Sequence, residues 1–196
     1  LIHQMVVTGI LELLIIVILL ALLKNKRIAE KINFIWVAIG LFVVNLTMTV
    51  LGSQNQAMGW ISAAFGKDVM LSGRTEIWAK TVEKLATSPI AGGGNDATVT
   101  IGLTQRPAHN QWLHFAMEGG YVAMILLIVA VLVSFVFLYK NRKANWYAVF
   151  SICAIAILVG SITEIQTYVP FFYVVFDLPY LLERWDRQNE MLQRGI

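Results

Sequence analysis

The chain has 196 residues, of which 58% are hydrophobic and 14% charged, and its mean hydropathy is +0.68. A soluble domain carries about 45–50% apolar and about 25% charged residues, and a disordered chain is more polar still, so both classes are excluded. The net charge of +3 would point to nucleic acid only if the positive residues clustered on one face, and the lone Cys153, set in an apolar run, excludes an intrachain disulfide and a cysteine metal cluster.

A helix of about 20 apolar residues covers the roughly 30 Å hydrocarbon core of a bilayer. Residues 5–23 form the first such segment, charged only at Glu12 and followed by Lys24, Lys26 and Arg27. Residues 32–52 form a second, uncharged segment. Residues 119–139 form a third, also uncharged and closed by Lys140, Arg142 and Lys143; residues from about 145 to 162 form a fourth. Residues 168–182 make a shorter fifth, broken by Pro170 and Pro179. The pattern predicts an all-α, polytopic membrane protein with about five transmembrane helices. Two lie within 1–52, an external segment spans 53–118, two to three lie within 119–182, and a cytoplasmic tail occupies 183–196.

Lysines and arginines of short loops stay on the cytoplasmic side. Lys24, Lys26, Arg27 and Lys31 separate the first two segments, and Lys140, Arg142 and Lys143 separate the third and fourth. Both loops therefore face the cytoplasm, and residues 53–118 lie on the far side of the membrane. The positive excess is a topology signal, not a nucleic-acid footprint. The chain starts at Leu1, and its first apolar run has its positive charges after it, unlike a signal peptide. It is expected to be the C-terminal part of a longer polytopic protein.

The external segment far exceeds the usual connection of about 4–6 residues, and such loops tend to carry function. From Thr75 to Thr87 the residues Ile77, Trp78, Val82 and Leu85 fall on one helical stripe, with Glu76 and Lys80 as an i,i+4 pair and Pro89 as the stop. The run Ala91-Gly92-Gly93-Gly94-Asn95-Asp96 reads as a flexible turn; no Gly-Lys-Ser/Thr follows it, so it is not a phosphate loop. Pro107 then opens a second amphipathic helix through His109 and His114 toward the third apolar segment.

Arg74 reads either as a solvated or headgroup-contacting arginine or as a diphosphate clamp, since a guanidinium fork matches phosphate oxygens. Gly73 beside it would let a ligand approach the backbone. His109 reads either as a hydrogen-bonded structural residue or as a general base, because histidine exchanges protons near neutral pH. His109 and His114 lie about 140° apart on a helix and do not share a face as paired metal ligands do. The acids Asp68, Glu76 and Asp96 are scattered and no Asp-x-Asp pair is present, so the segment is read as metal-free. Trp78 and Trp112 would stack on a sugar or sit in an interfacial belt. Glu12, Glu164 and Asp177 lie in or near apolar runs, where ionisable groups are functional candidates; the last two also suit the outer interface. Asn45-Leu46-Thr47 matches a glycosylation triplet but falls inside the second segment and is set aside.

The motifs Ser72-Gly73-Arg74-Thr75 with Trp78, Pro89-Ile90-Ala91-Gly92-Gly93-Gly94, His109-Asn110 and Glu118-Gly119 occur in that order in one long external segment. In this order they resemble the O-antigen ligase and polysaccharide polymerase superfamily. The family's pattern of His-Asn, nine residues, then Gly-x-x-Gly/Thr/Tyr is matched at His109, Asn110 and Gly120, while Ala123 departs at the last position. The resemblance implies transfer of a glycan from an undecaprenyl-diphosphate carrier to the hydroxyl of a glycan or glycolipid acceptor in the making of lipopolysaccharide or exopolysaccharide. It implies an inverting, metal-independent reaction with no cofactor. His109 would be the general base, and Arg74 would stabilise the departing diphosphate. Gly73, Thr75, Trp78, Asn110, Trp112 and Glu118 would bind substrate. Family members use a further arginine from an earlier external segment, and this chain has none there.

Two other readings stand beside this one. A transporter or flippase segment for lipid-linked oligosaccharide would gather polar groups at the bilayer midplane in broken helices, yet only Glu12 lies deep. A structural subunit of a membrane complex would leave Arg74 and His109 without a purpose.

Overall fold

The computed structural model describes residues 13–22, 32–50, 74–167 and 170–193. Glu12 and residues 51–73, Ser72 and Gly73 among them, fall outside them, as does the side chain of Thr75. Six helices and one hairpin occupy the described residues: α1 (Leu13–Leu22), α2 (Phe34–Val50), α3 (Arg74–Thr87), β1 (Val99–Ile101), β2 (Thr104–Arg106), α4 (Gln111–Lys140), α5 (Tyr147–Gly160) and α6 (Pro170–Gln193). The described chain is mostly helical, as its composition predicts.

The apolar helices α2, α4, α5 and α6 pack around one core that includes Phe34, Trp112, Phe135, Leu158, Val175 and Phe176. Cys153 is half-buried against it. Their outer faces stay apolar as well: Val43, Leu46, Ile125, Leu126, Val133 and Val149 are exposed. α4 is long and apolar enough to cross a membrane, and it is the one such helix among the described residues. α1 and α5 are shorter apolar helices.

Two prolines behave differently from expectation. Pro170 occupies the first position of α6, where a missing N–H costs nothing. Pro179 lies buried within α6 without ending it. The helix runs on to Gln193, through residues read from sequence as a separate tail.

Residues 74–118 depart from the predicted pair of amphipathic helices. α3 matches the first, with Ile77, Trp78, Thr81 and Leu85 buried along one face. Its Lys80 pairs with Glu83 at 3.1 Å, where a pair with Glu76 was expected; both spacings are within reach on a helix. After α3 comes an antiparallel hairpin in which Val99 faces Arg106 and Ile101 faces Thr104. Gly102, at φ +59°, takes the first corner of its two-residue turn, where a side chain would be strained. The hairpin, α3 and the start of α4 enclose a smaller core of Trp78, Ala97, Val99, Ala108, Leu113 and Met117. The predicted second helix is the opening of α4 itself, set off from the remainder by non-helical backbone at Gly119 and Gly120.

The glycine run after α3 is a fixed element and not a flexible turn. Gly93 N–H donates to Met117 O at 2.7 Å, Gly94 N–H to Glu118 O at 2.9 Å, and Tyr121 N–H to Pro89 O at 2.7 Å. The turn thereby supplies partners to carbonyls and an N–H that the break in α4 would otherwise strand. Gly92 and Gly120 both have positive φ, and a Cβ on either would fall onto the facing segment's backbone, at Glu118 and at Ile90 respectively. Only glycine permits that approach.

Candidate active site

Arg74 is the first residue of α3, and His109 ends the linker between the hairpin and α4. Trp78 joins these neighbourhoods: its indole N–H donates to Ala108 O at 3.0 Å in the interior. His109 then adopts φ +47°, a left-handed conformation that few non-glycine residues hold. The residue after it explains how this backbone is kept. Asn110 is fully buried and caps α4, its Oδ1 accepting from the N–H groups of Trp112 at 3.1 Å and Leu113 at 2.9 Å. Its amide nitrogen donates to Asn45 Oδ1 on α2 at 2.6 Å and to Ile162 O at 2.8 Å. One amide thus ties α2, α4 and the loop between α5 and α6.

That loop delivers the residue that brings the site together. Arg74 Nη2 donates to Glu164 Oε1 at 2.5 Å, and His109 Nδ1 stands 3.6 Å from Glu164 Oε2. The first contact is a charge-assisted hydrogen bond; the second is at ion-pair range. Burial pushes the Glu164 carboxyl's pKa up, but the His109 imidazole and the Arg74 guanidinium on its two oxygens outweigh burial and hold it below the ordinary value. The three side chains are 16%, 29% and 32% exposed for Arg74, Glu164 and His109, so a ligand can reach them.

The other predicted site residues lie elsewhere. Trp78 and Trp112 are 0% and 3% exposed, and Trp112 packs edge-on to Phe42 with ring centres 4.7 Å apart. Neither offers a face for a sugar to stack on, because the apolar cores need both rings. Asn110 has its side chain committed to the cap and the cross-ties above. Glu118 accepts from Asp96 N–H at 3.1 Å and lies 3.3 Å from His114 Nε2, so its carboxylate anchors the end of the glycine turn. The two histidines have different carboxylate partners, Glu164 for His109 and Glu118 for His114.

The sequence pattern passed over two participants, Asn45 as the tether from α2 and Gln111, and marked Glu164 as a candidate without its role as the shared carboxylate. The signal for Glu164 was its ionisable side chain at the end of an apolar run. Nothing local marks Asn45 or Gln111.

An arginine and a histidine gathered on one carboxylate, at the mouth of an apolar helical bundle, define a site suited to an anionic ligand and a proton transfer. Residues 3–128 match the family model described as O-antigen ligase, and the chain belongs to that family. It is similar to the exopolysaccharide production protein ExoQ of Rhizobium meliloti (strain 1021), with 24% identity over 171 residues that cover 77% of this chain and 38% of that protein. The chain thus spans well under half the length of that curated relative. No solved structure matches it.

Proposed function

We propose that this chain carries the reaction centre of an integral membrane enzyme of bacterial polysaccharide assembly, of the ligase or polymerase type. The donor is a glycan on undecaprenyl diphosphate, and the acceptor is the hydroxyl of a glycan or glycolipid. The observation that carries this reading is the convergence of Arg74 and His109 on Glu164. Family membership and the similarity to an exopolysaccharide production protein support it.

His109 turns Nδ1 toward Glu164, leaving Nε2 to act as base, the arrangement in which a carboxylate fixes the tautomer and orientation of an imidazole. Nε2 takes the acceptor's proton as the acceptor oxygen attacks the anomeric carbon. The bond from that carbon to the diphosphate oxygen breaks, the lipid diphosphate leaves with the electron pair, and the carbon is inverted. Diphosphate is a competent leaving group and calls for no general acid. Arg74 spends one donor of its planar fork on Glu164 and has others for phosphate oxygens. Such preorganised charge is worth several kcal/mol where water is scarce.

The exposed apolar faces of α1, α2, α4 and α5 support a multi-pass arrangement in the cytoplasmic membrane. With the lysine-rich loops inside, residues 53–118 lie outside, where lipid-linked glycans are assembled into surface polymer. The test is His109→Ala in the full-length protein. Glycan transfer is expected to fall by at least about 10²-fold with membrane insertion intact. Transfer at the normal rate would remove the general-base assignment.

A further inference from the structure

The loop that presents Glu164 is fastened at both ends by the residues that follow His109, and Gln111 does most of the fastening. Gln111 is fully buried at the first position of α4. Its backbone N–H donates to Ser161 O at 2.9 Å. Its side-chain Oε1 accepts from the N–H groups of Gln166 at 2.6 Å and Thr167 at 2.8 Å, while Nε2 donates to the Thr167 hydroxyl at 3.0 Å. Glu164 lies between these two anchorages. Every hydrogen bond described for this side chain goes to one loop, and none goes to α2, α3 or the hairpin.

The geometry leaves little tolerance. Extended chain covers about 3.3 Å per residue, so one residue of slack in the loop exceeds the margin of the Glu164 contacts at 2.5 and 3.6 Å. Gln111 follows His109 in the chain with only Asn110 between them. Base and carboxylate are therefore both measured from the same short stretch of backbone.

We propose that Gln111 is a positioning residue that sets the reach of Glu164 to His109 and Arg74. This rests on the reading of Glu164 as the carboxylate that orients the base. A buried amide serving only the core would have effects independent of Glu164; a positioning residue acts through it.

A double-mutant cycle in membranes bearing the full-length protein separates the two, with transfer from a lipid-diphosphate-linked glycan as the readout. Glu164→Gln is expected to lower kcat about 10²-fold, and Gln111→Leu to lower it comparably with the donor KM within about twofold. The double variant is expected to be no slower than Glu164→Gln alone. Gln111→Glu keeps an oxygen for both N–H groups and is expected within about tenfold of the parent. If Glu164→Gln transfers normally, the reading of Glu164 itself fails. If Glu164→Gln is slow but the two losses multiply, or Gln111→Leu is fully active, the Gln111 assignment is overturned. Should Gln111→Leu fail to accumulate, Thr167→Val removes one of the three side-chain bonds and enters the same cycle, with multiplying losses again counting against the proposal.

Discussion

Arg74 and Glu164 stand 90 residues apart in the chain and meet at 2.5 Å, guanidinium Nη2 to carboxylate Oε1. One opens α3, and the other sits in the loop that follows α5. Their meeting turns two separate segments of the chain into one site, because the second oxygen of the same carboxylate faces His109.

Arg74→Lys would keep the charge but exchange a planar fork for a compact ammonium that cannot hold Glu164 and a phosphate in one plane. Transfer is expected to drop by about 10²-fold, most of it in kcat, as for loss of a preorganised charge-stabilising donor. Steady-state kinetics with a lipid-diphosphate-linked donor would check it, and unchanged kcat would deny Arg74 its place in the transition state.

Two glycines of this clasp, one tightly packed and one open, predict unequal stability losses. Gly120→Ala puts a methyl group into the Ile90 carbonyl at a positive φ, and should cost about 3 kcal/mol. Gly94→Ala meets nothing within 4 Å and carries only the left-handed penalty of about 1 kcal/mol. Thermal unfolding in detergent should rank them in that order; equal midpoints would mean that the turn does not clasp the helix break.

Acid should act through Glu164. Its folded pKa is depressed below the ordinary value of 4.5, so between the two values the unfolded chain binds more protons and stability rises with pH. The contribution is full above the ordinary carboxylate range and disappears as pH falls through the lower, folded value. Melting midpoints of the parent and of Glu164→Gln are therefore expected to differ near neutrality and to converge in strong acid. Curves that stay parallel through the carboxylate range would contradict this.

Transfer is expected to continue in EDTA. His109 and His114 face separate carboxylates, and the proposed steps use an imidazole, a guanidinium and a good leaving group. Loss of transfer on chelation, restored by a divalent cation, would require a different mechanism.

The residues that could be read in advance share a physical trait: their surroundings in the chain contrast with them. Arg74 and His109 are chemistry-bearing side chains in a polar segment between apolar helices, and the stripe of Ile77, Trp78 and Leu85 with Pro89 beyond it marks α3 to within a residue of its start. Glu164 is different, because its meaning comes from partners far away in sequence. The tryptophans fail for another reason: an indole that stacks on a sugar and one that fills a core look alike until burial is known. The hairpin has strands of three residues each, too short for alternation to stand out, though the glycine at its turn was visible. Asn45 was noticed only as a glycosylation triplet, and its use lies in meeting Asn110 across the fold.

The left-handed turn at His109 leaves the chain no slack there. Ala108 is held by the Trp78 indole on one side, and Asn110 and Gln111 are committed on the other, so a residue gained or lost at this point rotates the imidazole away from Glu164. The hairpin tip at Gly102-Leu103 carries no such obligation, and Leu103 is fully exposed. Insertions and deletions among relatives of this protein should accumulate at that tip, while the spacing from Ala108 to Gln111 stays constant.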